Sequence, residues 1–493
     1  MGRNDAAASA APEAALPLYV DLDGTLVRTD VAQELLLSAL KTPRGLGALI
    51  SVGPSLNAAQ IKRVASENAP VQADLLPYRD AVVAYARAAR AEGRRVVLAT
   101  AADVLVAKAV VAHLGCFDAV LASTPERNLK GQIKLEAIKA DCAGGPFEYL
   151  GDSPADLPIW RAAAVRGFVN PQGSARSMAQ DTSGQTSLQI EDARPIWRCI
   201  RKAMRPHQWL KNTLLFLPLF FAHTYDDLAV LGHAVLAFVA FSLLTSGTYL
   251  VNDLFDIDAD RRHPKKRNRP FAAGDVSPLA GSLVALGLIV TAMVLAFGAT
   301  STAFGFVLIS YLVLTMIYTF ALKNYSTIDV VILGLLFTIR IVAGASATGI
   351  LVSAWLLTFS LFFFTSLAYL KRSIELMKVS EETKLPSRNY WGQELSIVQS
   401  FGITTAALSL LTLAQYITSD RVQASYPGKD LLWLVIPLLM FWTYRIWMWA
   451  SRGKVEDDPV LFALKDRISQ ITILLMMVVV VAARQFTIPS FLL

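Results

Sequence analysis

Apolar positions divide this chain into two regimes. Up to about residue 190 they form short runs, Leu18-Tyr19-Val20, Arg95-Val96-Val97-Leu98-Ala99 and Phe147-Glu148-Tyr149-Leu150, separated by Ala-rich helical stretches. Apolar strands alternating with helices predict a parallel α/β sheet, with ligands beyond the carboxyl ends of the strands. Beyond Trp209 the runs lengthen to about 20 residues, the length a helix needs to cross a bilayer. Nine spans are expected, near 209–224, 228–251, 279–298, 301–321, 328–349, 354–371, 397–418, 431–449 and 468–487, the first short and interrupted by Pro218.

The same pattern sets domain boundaries. Residues 1–16 are small and polar with no apolar core, so they read as a disordered N-terminus and not a signal peptide. A soluble domain follows over 17–170, then a Ser/Gly/Gln-rich linker over 171–193, then a membrane domain over 194–493. At its start Ile196, Trp197, Ile200 and Met204 alternate with Arg198, Arg201, Lys202 and Arg205, a basic amphipathic helix suited to an anionic leaflet.

Charge adds orientation. Every other connection between spans is basic (Arg261 to Arg269, Lys323, Lys371 to Arg388, Arg445 to Arg467), which puts these loops and the soluble domain on the cytoplasmic side of the inner membrane. The net charge of +7 on a chain that is 54% hydrophobic points to anionic headgroups or phosphorylated substrates, with no nucleic acid. Cys116, Cys142 and Cys199 have neither metal-ligand nor paired spacing.

The densest chemistry lies at the end of an apolar run, in Asn252-Asp253-Leu254-Phe255-Asp256-Ile257-Asp258-Ala259-Asp260. Asp253, Asp256 and Asp260 recur at helical spacing, so a helix would show them on one face, where a divalent cation offsets their repulsion. The basic run Arg261 to Arg269 beside them suits phosphates.

In the soluble part, Asp21-Leu22-Asp23-Gly24-Thr25 ends the first strand, Thr100 the second, and Gly151-Asp152-Ser153-Pro154-Ala155-Asp156 the third. With Lys134 downstream of Leu129-Lys130-Gly131, this order resembles the haloacid dehalogenase superfamily of phosphotransferases. The resemblance implies a Rossmann-like fold with a small helical cap from about Asp30 to Leu76. It also implies Asp21 as nucleophile, Asp23 as general acid/base, Thr100 on the transferring phosphoryl group and Lys134 (with Lys130 second) neutralising charge. One Mg²⁺ would sit among Asp21, Asp23, Asp152 and Asp156.

The spans and the Asn252–Asp260 motif resemble the UbiA superfamily of intramembrane prenyltransferases, all-α polytopic proteins, over residues 195–493. That resemblance implies one or two Mg²⁺ ions and a diphosphate at Asn252, Asp253, Asp256 and Asp260. A second acidic loop is missing. Where aromatic prenyltransferases of the family carry paired acids, this chain has Lys371-Arg372-Ser373-Ile374-Glu375. Two bases there suit an anionic lipid acceptor. The strings Arg205 to Asn212 (with Lys211), His263 to Pro270 (with Lys266 and Arg267) and Asp458 to Asp466 are similar to the branch that makes polyprenyl-phosphate phosphoribose. The resemblance implies transfer of 5-phosphoribose from phosphoribosyl diphosphate to a polyprenyl (decaprenyl) phosphate, with Lys211, Lys266, Arg267, Lys371, Arg372 and Glu375 on the substrates. Lys323 reads as a phosphate ligand or an interfacial anchor. Arg340, in one span with Asp329, reads equally as a lipid-phosphate ligand or one half of an ion pair between spans. Asp466 and Arg467 would brace the site. The phosphatase would then remove the 5-phosphate. The alternative is an aromatic prenyltransferase using a prenyl diphosphate, with the soluble domain an independent phosphatase or a regulatory module. A homo-oligomer stays open.

Overall fold

The computed structural model describes residues 16–51, 58–69, 71–181, 184–385, 388–455 and 458–486. The expected N-terminal tail lies outside them except for Leu16. The chain separates into two compact units, Met1–Arg205 with Tyr249–Leu286, and Pro206–Thr248 with Gly287–Leu493.

In the first unit, β1 (Leu18–Val20), β2 (Val96–Asp103), β3 (Ala119–Ser123), β4 (Glu148–Gly151), β5 (Val165–Val169) and β6 (Gln185–Ile190) form one parallel sheet in the order β3-β2-β1-β4-β5-β6. Strand order reverses between β1 and β4, the crevice where such sheets bind ligands. Val20 pairs with both Leu98 and Leu150, which levels the carboxyl ends of the three central strands. Alternate residues feed two cores. Leu18, Val20 and Leu98 pack with Val31, Leu35, Val82 and Val106, whereas Tyr19, Val97 and Ala99 pack with Ile138, Trp160 and Phe168. The cap is three helices, Val31–Leu40, Pro43–Ser51 and Ala58–Asn68.

Residues 171–193 are not an open linker. They include a helix, Ser174–Ala179, and β6, which extends the sheet beside β5. As an edge strand with exposed faces, β6 needs no apolar run and so leaves no hydrophobic signal.

The first unit also holds the surroundings of the acidic motif: the end of helix Leu228–Phe255, helix Ile257–Arg262, a turn over 263–277 and the start of helix Pro278–Leu295. Buried Phe271 lies against Gly281, where a Cβ would sit 2.2 Å from the ring.

Eight helices among the described residues are long and apolar enough to cross a membrane: Leu228–Phe255, Pro278–Thr300, Thr302–Phe320, Ile328–Thr348, Ala354–Leu376, Gly392–Ile417, Lys429–Ser451 and Arg467–Gln485. Only 22–50% of each apolar window is buried, and side chains such as Val313, Leu411, Leu474 and Val478 are exposed. In water that would be an extensive apolar surface; against lipid tails it costs nothing. The chain is a multi-pass membrane protein. The first of the nine expected spans is not a continuous α-helix. Pro206–Phe216 winds as 3₁₀ and only Leu217–Ala222 is α-helical, with Pro218 in its first turn. Within the second unit this segment packs closely on Gly344, where a Cβ would lie 2.0 Å from the Leu215 carbonyl oxygen.

Candidate active sites

The carboxyl ends of β1 and β4 bring four acids together around one lysine. Lys134, on helix Gln132–Asp141, is 2% exposed and contacts Asp21 Oδ1 at 3.1 Å, Asp156 Oδ1 at 3.3 Å and the Tyr149 hydroxyl at 3.0 Å. Lys130 is exposed, so Lys134 is the lysine of the site. Asp156 also accepts from Tyr149 at 2.7 Å and from Ser153. One carboxylate oxygen each from Asp21, Asp152 and Asp156 lies within 4.8 Å of the others, the one such group among the described residues. Asp23 is outside that group, its carboxylate accepting the Val31 N–H at 2.8 Å at the start of the cap. Gly24, at φ +76°, passes so close to Asp152 that a Cβ would sit 2.2 Å from its Oδ2. Only glycine suits both the conformation and the space. Thr100 is fully buried, its hydroxyl oxygen accepting the Ala102 N–H. From the cap, Lys62 donates to the Ala101 carbonyl at 2.7 Å.

Crowding of acids shows in their protonation. Burial pushes Asp21 up to about 6 against the pull of Lys134. Burial and neighbouring Asp30 raise Asp23 to about 8, and burial and Asp21 raise Asp152 to about 8. Lys134 is disfavoured by burial, yet Asp21 and Asp156 hold it above the usual ammonium range. Once ionised, the four carboxyls outnumber the one ammonium, and a divalent cation would offset their charge, so the donor set fits Mg²⁺.

The acidic motif follows the helical path expected of it: the Asp256 N–H reaches the Asn252 carbonyl and the Asp260 N–H reaches the Asp256 carbonyl. Its carboxylates are engaged by guanidiniums. Asp253, 2% exposed, accepts from Arg205 at 2.6 Å and Arg269 at 3.1 Å, and Arg269 also reaches Asp260 at 2.7 Å. Asn252 donates to Asp256 at 3.0 Å. Burial raises Asp260 despite Arg269. Asp253, Asp256 and Asp260 are not drawn into one ligand set in this arrangement, the two arginines supplying positive charge in its place. Lys266 and Arg267 are exposed on the following turn.

In the second unit, Arg372 is 1% exposed and donates to Asp329 at 2.6 Å and to Glu375, and the Tyr390 hydroxyl donates to Asp329 at 2.7 Å. Arg340 is not paired with Asp329. Its guanidinium donates to Asn212 at 3.0 Å, Tyr311 at 3.1 Å and the Leu336 carbonyl, and lies over Phe241, Tyr311 and Phe337. All of its partners are neutral, and they join four elements of the bundle. Lys211 pairs with Asp458, whose carboxyl is disfavoured as an anion by burial but held below its usual range by Lys211. Lys371 is half-buried with no ion-pair partner among the described residues, in the field of Glu375, Lys211 and Asp458. Lys323 is half-buried on a 3₁₀ turn, and its carbonyl accepts from Arg388. Asp466 pairs with Arg445 at 2.6 and 3.0 Å and caps helix Arg467–Gln485, while Arg467 is exposed.

Sequence reasoning missed Arg79, Arg28 and Asp192 beside the soluble site, and Arg205 and Arg269 as partners of Asp253. The one signal for Arg79 was its place, paired with Asp80, at the end of the apolar turn Leu75-Leu76-Pro77-Tyr78. Arg205 and Arg269 were visible only as members of basic strings.

Comparison with known proteins matches residues 18–161 to the haloacid dehalogenase-like hydrolase family and residues 213–484 to the UbiA prenyltransferase family. The chain is 35% identical over 459 residues to the uncharacterized protein y4nM of Sinorhizobium fredii, covering 92% of this chain and 88% of that one. It is 34% identical over 275 residues to the nodulation protein NoeC of Azorhizobium caulinodans, covering 55% of this chain and 89% of that one. To the decaprenyl-phosphate phosphoribosyltransferase of Mycobacterium tuberculosis it is 33% identical over 291 residues, covering 58% of this chain and 94% of that one. A UbiA homologue from Archaeoglobus fulgidus solved with GPP and Mg²⁺ aligns at 16% identity over 57% of this chain and 99% of that one, with a TM-score of 0.44.

Proposed function

We propose that this chain, which belongs to the UbiA prenyltransferase family and carries a haloacid dehalogenase-like domain ahead of it, is a bifunctional enzyme of polyprenyl-phosphate sugar synthesis. In the first reaction a phosphate oxygen of polyprenyl phosphate attacks C1 of phosphoribosyl diphosphate. The bond from C1 to the diphosphate breaks and diphosphate leaves. In the second, the soluble domain removes the 5-phosphate. The observation that carries this reading is the complete Asp21–Lys134–Asp152–Asp156 constellation, on one chain with a transferase 33% identical to a decaprenyl-phosphate phosphoribosyltransferase. The product of phosphoribosyl transfer keeps a monophosphate ester, the substrate such a constellation handles, whereas an aromatic prenyltransferase leaves none.

For the second reaction, Asp21 and Asp152 would hold Mg²⁺ with Asp156 braced behind them, and the bound cation would supply positive charge against the phosphoryl oxygens. Asp21 attacks phosphorus, the P–O5 bond breaks, and Asp23 gives its proton to the sugar oxygen. Asp23 then takes a proton from water as that water attacks phosphorus, freeing phosphate and Asp21. Lys134 neutralises Asp21 between turnovers. For the first reaction, Lys371 is the candidate for the lipid phosphate because it has no ion-pair partner among the described residues; Lys211 lies within its field, and Arg372 is committed to Asp329 and Glu375. Binding a Mg²⁺-diphosphate at the acidic motif requires Arg205 and Arg269 to release Asp253 and Asp260 and turn to the phosphates.

A ninth crossing by residues 206–222 is part of this reading. Arg205 touches Asp253, near the end of a helix that begins at Leu228, about 38 Å earlier at 1.5 Å per residue. The chain must cover that distance again before Leu228. Eleven 3₁₀ residues and six α residues reach roughly 30 Å. With nine crossings the positive-inside rule places the soluble domain and all four basic loops in the cytoplasm.

The test is incubation of purified protein with polyprenyl phosphate, radiolabelled phosphoribosyl diphosphate and Mg²⁺. Label should enter the lipid fraction, and Asp21→Asn should stop the sequence at the phosphorylated lipid. An unlabelled lipid fraction sinks the transferase; identical products from wild type and Asp21→Asn sink the second step.

A further inference from the structure

Next to the phosphatase constellation the first unit carries an open cleft of about 140 Å³, far smaller than the several hundred Å³ of a drug-sized site. Gly24 and Asp152 line it, so it opens beside the place where an ester phosphate would sit. Its other walls carry three guanidiniums. Arg28 contacts Asp192 at 2.5 Å, Arg79 contacts Asp192 and the Gly24 carbonyl, and Arg194 contacts Asp275 at 3.1 Å. Setting the metal-ligand Asp152 aside, three cations face two carboxylates. Arg79 is 7% exposed, and its buried Nε has no hydrogen-bond partner. Buried donors are nearly always satisfied, so a guanidinium that lines the cavity with one donor unpaired has capacity left for an acceptor that arrives with a ligand.

One wall comes from the turn after the acidic motif. Gly274, at φ +74°, approaches so closely that a Cβ would lie 2.7 Å from Arg28 Cβ. The transferase part of the chain thus completes a pocket of the phosphatase part.

We propose that this cavity is an anion subsite holding a second, non-transferred phosphate of the phosphatase substrate. The substrate class is a pentose bearing two phosphates: a monoester, which is cleaved, and another on the far side of the sugar, which Arg28, Arg79 and Arg194 bind and which stays. The inference rests on the phosphatase reading above and narrows it. Guanidiniums suit the site because they give planar, two-toothed bonds to phosphate oxygens.

The experiment compares Mg²⁺-dependent phosphate release by the purified full chain from ribose 5-phosphate and ribose 1,5-bisphosphate. KM should be about tenfold lower for the bisphosphate, the effect of one retained charge-assisted contact. Arg28→Gln and Arg194→Gln should cut that ratio to about threefold or less by raising KM for the bisphosphate. The Arg194 side chain is 63% exposed, so its replacement spares the fold. Release from both esters with equal KM, or a preference intact in both variants, overturns the subsite and leaves the phosphatase standing. Release from neither ester overturns the phosphatase reading itself.

Discussion

Arg261 grips Glu34 with two parallel N–H···O bonds of 2.7 Å, and the two side chains are only 6% and 10% exposed. Glu34 lies on the first helix of the phosphatase cap and Arg261 on the short helix of the acidic motif. Arg262 reinforces the contact by donating to Gln72 at 2.7 Å, and Gln33 accepts the Leu279 N–H at the start of the next long helix. The cap is therefore fastened to the segment that carries Asp253, Asp256 and Asp260.

Removing either partner of such a pair leaves a nearly buried charge without its counterion, at a cost of about 3 kcal/mol. Glu34→Gln and Arg261→Gln should each lower the denaturation midpoint of the purified protein. The double variant should lose much less than the sum of the two. Additive losses would mean the pair is not coupled.

Gly24→Ala should abolish phosphate release while leaving sugar transfer to lipid intact. The new Cβ would collide with Asp152 and would have to adopt φ +76°. Product analysis by mass spectrometry should find the phosphorylated lipid accumulating, as in Asp21→Asn. Normal dephosphorylation by this variant would remove Asp152 from the site.

Lys371 and Arg372 are adjacent but should fail differently. Lys371→Met should raise KM for polyprenyl phosphate by about tenfold or more, through loss of a charged contact worth roughly 1.5–3 kcal/mol, with little change in melting temperature. Arg372→Met strands Asp329, which is fully buried, and should lower the melting temperature sharply. Equal destabilisation by both variants would count against Lys371 as a substrate ligand.

Asp192 supplies an acid-side signature. Burial opposes its charge, but Asn170, Arg79 and Arg28 hold its carboxyl below the ordinary carboxylate range. A depressed folded value means its contribution is complete above the unfolded value of about 3.9 and fades as pH falls through the folded one. The melting-temperature gap between wild type and Asp192→Asn should stay constant from pH 8 to 5 and narrow below 4. A gap that instead narrows between pH 8 and 6 would assign the effect to another group.

How far the sequence carried follows from where each signal resides. Strands β1, β2 and β4 were legible as apolar runs, the four acids because they cluster just after β1 and β4, and Lys134 only through the family resemblance. β6 was not, since Gln185-Thr186-Ser187-Leu188-Gln189-Ile190 is an edge strand with polar faces. Partner choice was not legible either. Asp329 and Arg340 are eleven residues apart on one helix, about 16 Å, beyond side-chain reach. Their true partners, Arg372 and Tyr390 for one and Asn212 and Tyr311 for the other, are separated from them by 29 to 128 residues and meet only after packing.

The stretch from β6 to the basic helix Ile196–Met204 has a mechanical meaning. Only Glu191 to Pro195 separate them, and nearly every residue is fastened. Asn170 accepts the N–H groups of Asp192 and Ala193, Arg28 and Arg79 hold Asp192, and Arg194 holds Asp275. Five residues reach at most about 18 Å even when drawn straight. The soluble domain is therefore not a ball on a slack chain, because these five residues, nearly all of them fastened, leave no free tether between its sheet and the basic helix. Whatever moves the basic helix moves the sheet with it, so the two turn as one piece.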